Sequence, residues 1–262
     1  MIDLVIYDTI GAPQPWDKSK ALGGSEMQMV LLAEGLREFG YSVQITNRDE
    51  PTDARAVLVS RYTPLPKFIG GMVHTLVTDQ ETYPVLNPLF VSNYQRDKWG
   101  CKSAPVMPSF IMDEVYDLRD LQLSKVLGQW IYASALHKGF NEVLRRVDCG
   151  DHPNWSQLVV TNTYTDEPPC SVRPGVRWLG KTTSYGLARF IARARGLFYP
   201  HTYPECFPGV VHLAKLMGCR VYAPCVGHER CGVQEAMDAP VQGRPFSNKG
   251  PALDAWIKEL GL

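Results

Sequence analysis

The sequence predicts an α/β chain made of two doubly wound α/β/α domains. The first observation behind this is an alternation. Short continuous apolar runs, each closed by a turn residue, alternate along the chain with segments of helical period, the pattern of parallel strands covered by crossover helices. The second is a single interruption: residues 113–125 are charged and only moderately periodic, and read as a linker. The domains are therefore expected at 1–124 and 125–262. A length of 262 residues is enough for one large or two small α/β domains with a sizeable core.

Charge and composition narrow the function classes. Lys plus Arg equals Asp plus Glu, at 27 each, so no global field draws the chain to nucleic acid or anionic lipid, although a local basic patch stays open. Aromatic residues are plentiful and no segment is of low complexity, which predicts a globular chain. No run of about 18 apolar residues suggests a spanning helix. The N-terminus reads as a first strand, not as a signal peptide. The seven cysteines are odd in number and scattered, with no Cys-x-x-Cys pair. They are expected as reduced thiols in a cytoplasmic compartment. Metal ligation by His137, Asp151, His152, His201 or His228 lacks the paired spacing of a metal helix, so no metal is expected.

In the first domain, residues 2–7 form the first strand and 8–22, with Gly11, Pro13 and Pro15, a loop. Gly23-Gly24-Ser25-Glu26 then opens a helix whose Met27, Val30, Leu31, Ala33 and Leu36 recur at helical spacing. Gly40 ends it, and 41–46 is strand two. A glycine turn here lets backbone approach a ligand, and its N–H groups favour phosphate. A tight turn with Ser25 as N-cap accounts for the same residues. Residues 56–60 form the next strand, 61–66 a loop and 67–71 a short helical piece. Residues 72–78 form a strand ending at Asp79, where a polar side chain projects toward a ligand crevice. His74 falls mid-strand and reads as a satisfied core histidine. Residues 88–92 form a strand, Ser92 caps a helix over 93–100, and 101–109 is expected as a final strand and its exit.

In the second domain a strand at 129–132 leads through Ala133-Ser134-Ala135-Leu136-His137-Lys138-Gly139 into a helix from Phe140 to Val147. A strand follows at 158–162, and a helix over 182–194 with Leu187, Phe190 and Ile191 on one face. Leu197-Phe198-Tyr199 is a short buried strand stopped by Pro200. The loop Tyr203-Pro204-Glu205-Cys206-Phe207-Pro208-Gly209 enters a helix over 210–217, which Gly218 ends before a strand at 220–223. Such a loop lies at the carboxyl ends of the strands, where ligands bind. Residues 251–262 form a closing amphipathic helix with Leu253, Trp256, Ile257 and Leu260 inward.

Residues 196–227 resemble the donor-binding signature of retaining GT-B glycosyltransferases of the family-four type. Tyr199-Pro200, Glu205-Cys206-Phe207-Pro208-Gly209, Ala214, Gly218 and Val221 fall in step with it. Gly23-Gly24-Ser25-Glu26 is similar to the first glycine loop of the same enzymes, and Asp79 fits the place where a His or His-Asp pair often ends a strand. Lys138-Gly139 resembles the motif whose basic residue binds the donor diphosphate. Residues 176–181 resemble the strand whose following loop packs on the nucleotide base, and Val226-Gly227-His228-Glu229 resembles a further turn of the family. The resemblance runs from the first strand to about Met237 and is thin through the linker. Two departures stand out: the family's second glutamate falls on Leu213, and its arginine ahead of the lysine is missing, with Ser134 nearest.

The resemblance implies a compact GT-B protein, two Rossmann-like domains facing across a cleft, with the donor on the C-terminal side and the last helix returning to the first domain. It implies transfer of a hexose or pentose from a nucleotide sugar such as a UDP- or GDP-sugar, with retention, without metal and without a cofactor. It places Glu205, Lys138 and Asp79 in catalysis. Donor contacts would come from Gly23, Gly24, Ser134, Lys138, Gly180, Lys181, Glu205, Cys206, Phe207, Pro208 and Gly209. The acceptor stays open among glycans, small molecules and modified nucleobases, so DNA remains a partner to consider. No integral membrane segment is expected, and the oligomeric state is not read. A non-catalytic binding or scaffold protein on the same fold is the rival, supported by Leu213 and Ser134. A Rossmann dehydrogenase is disfavoured by the absence of Gly-x-Gly-x-x-Gly after the first strand. Because glutamine keeps size and one acceptor, Glu205→Gln is expected to leave stability nearly unchanged.

Overall fold

The computed structural model describes residues 1–8, 22–47, 53–60, 72–77, 86–162, 165–168, 173–227, 232–241 and 251–262. The chain divides into two compact units. One is built on Gly23–Ile111 with the first strand and the last helix, the other on Met112–Gln242.

The first unit carries β1 (Ile2–Tyr7), α1 (Gly24–Glu38), β2 (Val43–Thr46), β3 (Ala54–Ser60), β4 (Met72–Val77), β5 (Pro88–Phe90) and α2 (Asn93–Lys98). Its sheet runs β2-β1-β3-β4-β5, parallel throughout. Leu4, Val5, Ile6, Val57 and Leu58 are fully buried, as a sheet covered on both faces requires. Ser92 caps α2 as expected, its hydroxyl accepting the Gln95 N–H at 3.1 Å. The cap of α1 differs from expectation: Gly23, not Ser25, is its N-cap. A Cβ on Gly23 would collide with the Glu26 carboxylate, which folds back over the helix start. Residues 101–109 are not a strand but make one parallel bridge, Phe90 to Val106. Pro105 and Pro108 withhold the N–H donors that a longer ladder would need.

The second unit begins with α3 (Asp113–Asp120), where the sequence suggests a linker. Its Val115, Tyr116 and Leu118 are buried and it packs on α5, so charge on the outer face concealed an amphipathic helix. Then come β6 (Gln129–Ala133), a 3₁₀ turn (Leu136–Lys138), α4 (Phe140–Cys149), β7 (Gln157–Asn162), β8 (Val176–Lys181), α5 (Ser184–Arg193), β9 (Gly196–Phe198), α6 (Gly209–Leu216), β10 (Arg220–Tyr222) and α7 (Gly232–Asp238). The sheet order is β10-β9-β6-β7-β8, again parallel. The chain starts in the middle at β6, moves outward to β8, and returns to the other side at β9.

The division falls ahead of residue 124, because α3 joins the second unit. The terminal helix α8 (Pro251–Leu260) belongs to the first unit and not to the 125–262 segment. Trp256 anchors it: the ring is 3% exposed, stacks on Phe110 at 6.3 Å, and its indole N–H donates to the Pro108 carbonyl at 3.1 Å. Losing such an aromatic anchor costs about 3–5 kcal/mol.

Candidate functional site

In the second unit the connections from β6 and β9 leave in opposite directions, which opens a crevice above their carboxyl ends. β6 and β9 are paired, Trp130 opposite Gly196 and Ile131 opposite Leu197, so the loops that follow them emerge side by side. These are the loops that carry Lys138 and Glu205. They are stitched together by the Thr202 N–H, which donates to the Lys138 carbonyl at 3.0 Å. Gly139 permits the approach: a Cβ there would run into the carbonyl oxygen of Pro200.

Lys138 Nζ and Glu205 Oε1 form an ion pair of 2.8 Å. Glu205 is 9% exposed and Lys138 half-buried, so the pair sits at the lip of the protein interior. The Tyr199 hydroxyl donates to the same Glu205 oxygen at 2.9 Å. Tyr199 is 1% exposed, and burial, reinforced by the nearby Glu205 charge, pushes its pKa well above that of an ordinary phenol. It therefore stays a proton donor. Ser134 Oγ lies 3.4 Å from that phenol oxygen. Since Tyr199 gives its one proton to Glu205, Ser134 donates to Tyr199. Tyr132, packed on Tyr199 at 6.1 Å, is likewise held protonated, first by burial. The Lys138 ammonium also lies 5.4 Å from the centre of the Tyr203 ring, within cation–π range.

The backbone of the glutamate loop is fixed from behind. The Gly232 N–H at the start of α7 donates to the Glu205 carbonyl at 2.7 Å. A side chain at Gly232 would overlap the Cys206 carbonyl. Cys206 and Pro208 are buried, and Pro208 is the N-cap of α6, with no side-chain cap bond. Gly209 faces open space, where a Cβ would meet nothing within 4 Å. Phe207 packs on His212, ring centres 6.1 Å apart.

The other expected residues are placed as follows. Gly180 and Lys181 end β8, two strands from β6 on the same sheet, about 10 Å at ordinary strand spacing. Asp166 organises them: its carboxylate accepts the Lys181 N–H at 3.0 Å, and its carbonyl accepts the Trp178 indole N–H at 3.2 Å. Gly23 and Gly24 start α1 in the first unit. Asp79, His228 and Glu229 lie outside the described residues. His74 is buried in β4, but neither ring nitrogen has a hydrogen-bond partner among the described residues, so it is a core histidine without satisfaction. Among the described residues no group of three or more His, Cys, Asp or Glu side chains gathers as a metal site, and no helix is long and apolar enough to cross a membrane.

Sequence reasoning missed Tyr199, Asp166 and α7. Tyr199 had a signal, a phenol at the very end of a buried strand six residues ahead of Glu205. Asp166 had none, because its partners lie on a strand further along the chain.

The fold has counterparts among known proteins. No family model matches the sequence, and no curated protein matches it. Solved structures do. AviGT4, a glycosyltransferase involved in avilamycin A biosynthesis, superposes with a TM-score of 0.65 at 18% identity, over 98% of this chain and 88% of that one. A glycosyltransferase from Rickettsia africae gives 0.62 at 10% identity, covering 99% and 88%. Anabaena HepE in complex with UDP-glucose gives 0.60 at 11% identity, covering 100% and 91%. With its two parallel five-stranded sheets flanked by helices, the chain has the GT-B fold of these glycosyltransferases.

Proposed function

We propose that the chain is a glycosyltransferase that takes a sugar from a nucleotide-sugar donor held in its second unit. The observation that carries this is the Lys138–Glu205 ion pair above the ends of β6 and β9. As a glycosidic bond to a nucleoside diphosphate breaks, negative charge grows on the leaving phosphate and positive charge on the anomeric carbon. An ammonium and a carboxylate fixed 2.8 Å apart offer one group for each. Without donor they neutralise each other. With donor, Lys138 turns to the diphosphate while Tyr199 keeps hold of Glu205, whose carboxylate accepts sugar hydroxyls. The open start of α6 adds N–H groups toward phosphate.

The finer reading is transfer with retention and without a metal ion, Lys138 supplying the charge that a metal would otherwise bring. Gly180 and Lys181 take the nucleotide base, and Gly23 and Gly24 keep the donor role that the resemblance implies. The UDP-glucose complex of HepE favours a UDP-sugar as the first donor to try. The acceptor is a glycan, a small molecule or a modified nucleobase.

The test has two arms. Melting curves are recorded with UDP, GDP and their sugars, since a ligand of the folded state raises its stability, and donor hydrolysis or transfer is measured for the wild type and Lys138→Ala. A melting shift with one nucleotide sugar and about a hundredfold loss of turnover in Lys138→Ala are expected. Unchanged turnover in that variant removes Lys138 from the reaction. A melting shift with no turnover favours the binding-protein alternative that Leu213 and Ser134 suggest.

A further inference from the structure

The loops after β9 and β10 are joined by a parallel bridge between His201 and Cys225. The His201 N–H donates to the Pro224 carbonyl at 3.2 Å, and the Val226 N–H donates to the His201 carbonyl at 2.9 Å. The backbone thus sets the two side chains against each other, with His201 Nε2 3.1 Å from Cys225 Sγ. The imidazole is fully buried and the cysteine exposed. The second ring nitrogen, Nδ1, lies 3.2 Å from the Tyr199 carbonyl oxygen. A carbonyl only accepts, so Nδ1 carries the ring proton and Nε2 turns its lone pair to the thiol. The Tyr199 ring stacks on the imidazole at 5.5 Å, 20° from parallel, and holds it in that orientation.

Nucleophile, base and orienting group are the three parts that activate a side chain for attack. Here they are Cys225, His201 and the Tyr199 carbonyl. The proposed sugar transfer assigns no step to Cys225 or His201.

We propose that Cys225 is a modification site, a thiol activated by His201 that reacts with small electrophiles, hydroperoxides among them. The thiol proton passes to His201 Nε2 as sulfur attacks one peroxide oxygen. A sulfur–oxygen bond forms and the oxygen–oxygen bond breaks. Sulfur is oxidised by two electrons and the peroxide reduced. The departing hydroxide recovers the proton from the imidazolium and leaves as water, with a sulfenic acid on Cys225 and a neutral His201. Attack on an alkyl halide forms a sulfur–carbon bond and breaks the carbon–halogen bond; halide leaves as the anion, and the imidazolium passes the thiol proton to water.

Cys149, the other exposed cysteine among the described residues, serves as the internal reference. The full chain is treated at pH 7 with hydrogen peroxide plus dimedone and, separately, with iodoacetamide. Each cysteine-bearing peptide is followed by mass spectrometry. Cys225 is expected to react about tenfold faster than Cys149 with both reagents, and to lose that lead in His201→Gln. A Cys225 rate no greater than that of Cys149 overturns the proposal, as does a lead that persists in folded His201→Gln. Should that variant not fold, the wild-type comparison decides alone. No donor, acceptor or turnover enters the measurement, so its result is independent of the glycosyltransferase reading.

Discussion

Glu205→Gln removes one charge from a pair that is largely out of water. The Lys138 side chain is 24% exposed and that of Glu205 11%, at 2.8 Å. Two unit charges at this separation attract by about 6 kcal/mol at an effective dielectric of 20, before their desolvation is counted against them. Tyr199 donates to the same oxygen at 2.9 Å. Replacing a charged acceptor by a neutral one weakens that hydrogen bond by about 1 kcal/mol. The ammonium keeps a path to solvent, so it is not stranded, and the net cost in stability is about 1–2 kcal/mol. The sequence alone suggests that the change scarcely registers; the ion pair, not visible there, raises the expected cost. The catalytic cost rests on the proposed function and is about ten- to hundredfold in kcat/KM, the scale of lost hydrogen bonds to a charged group. The assay pairs initial rates over a range of UDP-sugar concentrations with melting curves of the same preparations. A lowered melting temperature with wild-type kcat/KM would make Glu205 a purely structural partner of Lys138. An unchanged melting temperature would refute the ion pair itself.

Three further outcomes are expected. Tyr199→Phe should lower kcat/KM about tenfold while melting within a few degrees of the wild type, and should have little effect in the Glu205→Gln background; full additivity of the two changes would remove Tyr199 as the residue that positions Glu205. Turnover should survive EDTA, since the sequence has no Asp-x-Asp motif, and abolition by chelation with recovery on adding Mn²⁺ or Mg²⁺ would overturn the metal-free reading. Burial lowers the pKa of His74 below its usual 6.5, with Glu259 opposing, so the folded state binds fewer protons than the unfolded one and stability falls as pH drops below 6.5. His74→Leu should hold or raise the melting temperature at pH 7 and flatten its fall toward about pH 5, leaving the slope due to His212, also lowered by burial. A slope equal to that of the wild type would sink this account.

Much of the architecture was legible in the order of residues. Ile2–Tyr7 folds as a strand with the limits that its apolar run suggests, Val176–Lys181 is the strand that the family resemblance implies, and Ser92 caps its helix, because these features depend on neighbours in the chain. Lys138 and Glu205 could each be singled out from a local motif. Their pairing could not, since it arises only when the sheet takes the order β10-β9-β6-β7-β8 and sets two distant loops side by side. The same holds for α3, whose outward charge hid the buried Val115, Tyr116 and Leu118, and for the Trp256 anchor of α8, whose return to the first unit the family resemblance implies but whose contacts the sequence does not show. Periodicity and turn chemistry act over a few residues and determine elements. Ion pairs, buried tyrosine protons and the histidine–cysteine contact depend on strand order, which only the folded chain decides.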